Sequence, residues 1–148
     1  MTAEELYKRA EADGIAVVRV RSDKKAMCVD NGRIKAVCIN YHKIEDERDE
    51  RAVLAEELVH LDNGYLYAVN NVKNPAYRTL VSRLEQRTKN TVACMFIPFD
   101  RLKDAVLRDG CRELWELAEY FDVPPAIIRN AVDYYESRGM HIDVPEDW

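Results

Sequence analysis

The spacing of apolar residues changes twice along the first half of the chain, and each change predicts a change of element. Leu6 and Ala10 lie one helical turn apart in an otherwise polar stretch, the pattern of a helix that buries a narrow stripe. Thr2 and Glu5 ahead of them have the spacing of a capping box, in which each side chain satisfies a backbone N–H of the other's turn. Gly14 supplies the stop. Residues 15–20 are then rich in β-branched side chains and read as a strand. Residues 26–29 and 34–39 read as two more. Asp30-Asn31-Gly32 between them is a turn signal, because Asn and Gly accept positive φ. These segments predict a small three-stranded, mostly antiparallel sheet.

The helical period returns over residues 45–61. The first half of this stretch is charged and sets acids at the positive end of the helix dipole. The second half is apolar nearly all round, and Asn63-Gly64 ends it. Residues 65–74 read as a loop closed by Pro75. Further helices are predicted at 77–96, 100–108, 113–121 and 124–138, punctuated by Pro98, Gly110 and the turn Asp122-Val-Pro-Pro125. The tail after Gly139 reads as irregular. A helix, three strands and then helices describe an α+β fold. The expectation is a single domain over 1–148, with its helical C-terminal part at about 99–138.

Composition narrows the function classes. The 148 residues suffice for one domain with a real core, and 47% hydrophobic with 33% charged residues is an ordinary globular balance. A net charge of −5 and a pI near 5.3 argue against nonspecific nucleic-acid binding. No apolar run is long enough to span a membrane, and the acidic, helical N-terminus does not read as a secretory signal. A cytoplasmic location is the expectation. Cys28, Cys38, Cys94 and Cys111 form no C-x-x-C pair, so neither a zinc ribbon nor a thioredoxin motif is indicated. Buried, reduced thiols are expected, with Cys28 and Cys38 facing each other across the hairpin as the alternative.

The chemistry concentrates in Leu54-Ala-Glu-Glu-Leu-Val-His60. It differs by one residue from H-E-x-x-H, which sets two metal ligands at i and i+4 on a helix face with a general-base Glu beside the first. Glu57 fills the general-base position, His60 the second ligand position, and Glu56 stands where the first His would be. On a helical wheel Glu56, Glu57 and His60 share one sector, and Leu54, Leu58 and Leu61 lie opposite. Charges on a buried helix need partners or a metal. A plain Glu57–His60 pair at i, i+3 is the structural alternative. A metal needs a third ligand from elsewhere. His42 at a strand end and His141 in the tail are poorly placed. Glu85, on the next long helix, is the better candidate, against its alternative as part of a solvated helix face.

These residues, with their flanks, resemble the ImmA/IrrE metallopeptidase-like family, in the branch with Glu-Glu-x-x-His in place of His-Glu-x-x-His. In that family an acid on the helix after the motif precedes a Leu-x-Pro-like segment by about thirteen residues. Here Glu85 stands at that interval before Pro98, within Phe96-Ile97-Pro98, and Ala93 matches a small residue of the pattern. The opening helix, Ile39-Asn40 before the charged helix, and the run from Glu116 to Val132 are similar as well, so the resemblance covers roughly residues 3–138. It implies a zincin-like site with Glu56, His60 and Glu85 as metal ligands and Glu57 as general base. It further implies a zinc-dependent endopeptidase of a bacterial mobile element or prophage that cleaves a partner helix-turn-helix repressor and so relieves repression of transcription. Three departures stand out. Glu56 replaces a neutral imidazole with an anion, which makes manganese or iron alternatives to zinc. Thr88 stands where the family often has Ala, and Thr91 where it often has an aromatic.

Two other functional readings follow from the sequence. One is an inactive, protease-like binding module. The other is a DNA-binding regulator that uses the C-terminal helix pair, since residues 117–131 have helix-turn-helix spacing. The second helix of that pair offers only Arg129 and Asn130 early on, followed by Asp133 and Glu136, which is poor for base reading. Two packed helices closing the domain are the plainer expectation. A protein-binding surface built on Trp115, Tyr120, Tyr134 and Tyr135 lies between the two.

Overall fold

The computed structural model describes residues 1–64 and 74–143. The loop expected before Pro75 lies outside the described residues except for Asn74, as do the last five residues of the expected irregular tail. The fold is α+β.

Helix α1 (Ala3–Ala12) begins at the capping box read from the sequence. Thr2 Oγ1 accepts from the Glu5 backbone N–H at 3.2 Å, and Glu5 Oε2 accepts from the Thr2 N–H at 2.7 Å. Leu6 and Ala10 are its buried residues, as the one-turn spacing predicted. Strands β1 (Ile15–Arg19), β2 (Ala26–Asp30) and β3 (Lys35–Ile39) follow. The Asn31-Gly32 turn forms as read. Gly32 sits at φ 81°, and Asn31 Oδ1 accepts from the Arg33 and Ile34 N–H groups at 3.0 and 2.8 Å.

Strand order corrects one expectation. The sheet runs β1-β3-β2, with β2 antiparallel and β1 parallel to β3, so it is mixed rather than mostly antiparallel. Short connections make the three strands alternate in direction, and β1 and β3 therefore point the same way. They become neighbours because β3 takes the centre. Its Ala36-Val37-Cys38-Ile39 is apolar on both faces, and Val37 and Ile39 are fully buried. A central strand must pack on both sides, whereas an edge strand tolerates the Asp30 end of β2.

The register also separates the two cysteines of the hairpin. Cys28 lies opposite Val37 and Cys38 opposite Met27, so the thiols point to opposite faces of the sheet. All four cysteines are free, and they are half-buried rather than buried. Cys28 shares the inner face with Ile15 and Val37, the face on which α1 and α2 pack.

A 3₁₀ turn, Tyr41–Lys43, leads out of the sheet and was not foreseen. Asn40 builds it from a buried position: its side-chain oxygen accepts from the His42 N–H at 3.2 Å, and its amide donates to Ser22 O at 2.8 Å. Helix α2 (Glu47–Asn63) is capped by Asp46, which accepts from the Asp49 N–H at 2.8 Å, and ends at Gly64 in the left-handed region. Helix α3 (Pro75–Phe96) starts two residues before the predicted position. Its proline occupies the first turn, where no N–H is needed, and Asn74 Oδ1 accepts from the Ala76 N–H at 2.9 Å. Helices α4 (Phe99–Leu107), α5 (Leu114–Phe121) and α6 (Pro125–Ser137) complete the described chain.

The chain divides into two compact units, residues 1–88 and 89–148, with the division inside α3. The first holds the sheet, α1 and α2. The second has its own core, in which Leu102, Leu117 and Ile128 are fully buried. Among the described residues, no helix is long and apolar enough to cross a membrane.

Candidate metal centre

Helix α2 presents its polar sector because its other side is fixed in the core. Leu54, Ala55 and Leu58 are fully buried, and Leu61 nearly so. Their packing sets the rotation of the helix and carries Glu56, Glu57 and His60 to the side predicted by the wheel. His60 is 5% exposed, while Glu56 and Glu57 are half-buried. Glu85, half-buried on α3, comes to the same place.

His60 Nε2 lies 4.0 Å from Glu56 Oε1 and 3.6 Å from Glu85 Oε2. The three candidate ligand atoms all lie within 4.8 Å of one another. Ligands of one tetrahedral ion bonded at about 2.1 Å stand roughly 3.4 Å apart. The His60–Glu85 separation is close to that, and a small side-chain rotation of a half-buried glutamate covers the rest. The donor set also fits in charge. Two carboxylates and a neutral imidazole match a divalent cation and, being oxygen-rich, suit zinc, manganese or iron. The other edge of the ring is occupied: Thr88 Oγ1, fully buried on α3, lies 3.4 Å from His60 Nδ1. The residues present therefore fit a metal ion.

Glu57 stands beside this cluster and next to Cys28 of β2. Burial pushes its carboxyl above the usual carboxylate range. The His60 charge and a hydrogen bond from the Cys28 thiol pull it back, and the Glu56 and Glu85 carboxylates push it up further. Cys28 responds in kind: burial first, then the Glu57 charge, push its thiol up to about 12. At that value Cys28 is a neutral thiol at physiological pH, a donor to Glu57 rather than a nucleophile.

The structure brings together all four residues singled out in the sequence: Glu56, Glu57, His60 and Glu85. His42, in the 3₁₀ turn, and His141, beyond α6, are exposed and outside the ligand cluster. Two neighbours were missed. Alternation along β2 puts Cys28 on the inner face, but nothing in the sequence says which helix residue it meets. Thr88 lies three residues after Glu85, one turn along the same helix face, and that spacing was the available signal.

The C-terminal helix pair offers less. On α6 Arg129, Asp133 and Glu136 are exposed and of mixed sign, and Asn130 is half-buried. Trp115 and Tyr120 are exposed. Tyr135 is not a surface residue: it is buried, with its hydroxyl donating to Ile97 O at 2.7 Å and its ring edge-on to Phe99.

No family model, no curated protein and no solved structure matches the chain.

Proposed function

We propose that the chain is a metal-dependent endopeptidase of the ImmA/IrrE type, with a helix-turn-helix repressor as its substrate. The observation that carries the reading is the convergence of Glu56, His60 and Glu85 from two helices, with Glu57 beside them. The choice of a repressor as substrate, and of zinc before manganese or iron, rests on the sequence resemblance.

Each residue has a distinct task in this reading. Glu56, His60 and Glu85 would hold the ion, which would supply Lewis acidity for a water and the scissile carbonyl. Glu57 takes the proton of the attacking water and passes it to the departing amine, so one carboxyl serves as base and then as acid. A carboxyl whose environment favours its protonated form is suited to that double role. The Cys28 thiol steadies Glu57 by hydrogen bonding and stays out of the chemistry. Glu56, as an anion in place of an imidazole, would moderate the ion's Lewis acidity and makes the donor set a harder one.

Metal content tests the reading directly. Tag-free wild type, His60→Ala and Glu85→Ala are exposed equally to zinc, manganese and iron, desalted, and assayed by elemental mass spectrometry. Near-stoichiometric metal in the wild type that both variants lose is the expected result. A wild type that retains none removes the endopeptidase reading and favours an inactive binding module, with Glu56 as the reason.

A further inference from the structure

We infer that Thr88 is the positioning residue of this centre, holding the Nδ1 edge of His60 so that Nε2 faces Glu56 and Glu85; the inference rests on the metal-centre reading above. Thr88 is fully buried in α3, and its hydroxyl lies 3.4 Å from His60 Nδ1. Hydroxyls buried in a helix need a partner, and His60 Nδ1 is the side-chain group that the Thr88 hydroxyl meets. Thr88 and Glu85 sit three residues apart on α3, so one helix face delivers both a ligand and the group that orients the second ligand. On the opposite edge of the ring, Nε2 is 3.6 Å from Glu85 and 4.0 Å from Glu56. The imidazole thus faces Thr88 on its Nδ1 side and the two glutamates on its Nε2 side.

A hydroxyl suits this position better than the carboxylate often found behind a metal-binding histidine. It adds no charge to a site that already carries Glu56, Glu57 and Glu85. It also serves both neutral tautomers by rotating. To ligate through Nε2, a neutral His60 must carry its proton on Nδ1, and Thr88 Oγ1 then accepts from it. Without the hydroxyl, the ligating tautomer would lose the Thr88 acceptor on its Nδ1 side.

The test uses Thr88→Val, which keeps the shape and removes the hydroxyl, and Thr88→Ser, which restores it. Zinc affinity is measured by competition with a chelating dye. The Nδ1 resonance of ¹⁵N-labelled His60 is recorded on the metal-free proteins, and circular dichroism monitors folding. Thr88→Val should weaken zinc binding by about 10–100-fold and move the Nδ1 resonance away from its wild-type position. Thr88→Ser should restore both, an outcome that a purely steric role for Thr88 would not produce. Wild-type zinc affinity in Thr88→Val would overturn this inference alone. Absence of zinc binding in the wild type itself would overturn the metal-centre reading and this inference with it.

Discussion

Helices α2 and α6 both form the core of their units, yet they treat polar residues in opposite ways. On α6, Ile127, Ile128, Ala131, Val132 and Tyr135 are buried, while Arg129, Asp133 and Glu136 are exposed. The one buried polar group of this set, the Tyr135 hydroxyl, has a carbonyl partner. Pattern and packing agree at each position. On α2, Arg51 and His60 are buried among Leu54, Ala55 and Leu58, and Glu56 and Glu57 stand half-buried beside them. A helix selected only for stability would carry apolar side chains there, because each buried ionisable group costs free energy unless it is partnered. Departures from local consistency concentrate where a chain does chemistry. The contrast therefore separates a helix that holds its unit together from one that also presents the candidate metal cluster.

The sharpest way to break the contrast is Glu57→Gln. If α2 tolerates Glu57 for chemistry, cleavage of a co-expressed repressor substrate should fall by about 10²–10⁴-fold, the usual range for loss of a general base. Fold and metal content should remain near those of the wild type, because Gln is isosteric and Glu57 is not among the ligands. Cleavage at the wild-type rate, followed by gel and mass spectrometry of the products, would remove Glu57 from its role. The mirror experiment is Ile128→Ala on α6, at a fully buried position. It should destabilise the protein by about 2–5 kcal/mol, read as a lowered urea midpoint, through lost burial and the cavity left behind. A loss well under 1 kcal/mol would mean that α6 is not the packed core element its pattern describes.

Much of this arrangement is legible in the sequence, for identifiable reasons. The Thr2–Glu5 capping box, the Asn31-Gly32 turn and the Gly64 stop are local devices, each set by a few adjacent residues, and each forms as read. The site on α2 is legible because i and i+4 on a helix wheel fix which side chains share a sector. Glu85 could be named as a candidate, but its meeting with His60 depends on how two helices pack. The parallel β1–β3 pairing is less legible still. Strand direction follows from short connections, but neighbour choice is a contest between faces that only the assembled sheet settles. Thr88 illustrates the remaining gap. In the sequence it is a departure from a pattern, and only in the fold does its hydroxyl meet an imidazole nitrogen 28 residues away.

A smaller effect sharpens the comparison from the side of stability. Beside the charges of α2, Glu116 at the start of α5 is a carboxylate that helps its fold. Its Oε2 accepts from the Arg112 and Glu113 backbone N–H groups at 2.6 and 3.0 Å. Those bonds, Arg112 first and Glu113 second, hold the carboxyl below its ordinary value of 4.5. A carboxyl depressed in the folded state contributes stability above its unfolded pKa and loses it as pH falls through the folded one. The wild type should therefore exceed Glu116→Gln in urea midpoint at pH 7, and the gap should close on acidification from about 4.5 downward. Because Glu116 is only half-buried, the gap should be small and should shrink in high salt. A gap that stays constant from pH 7 to pH 3 would show that the cap works through side-chain shape and not through its charge. The difference between a stabilising charge on α5 and tolerated charges on α2 would then have to be argued from geometry alone.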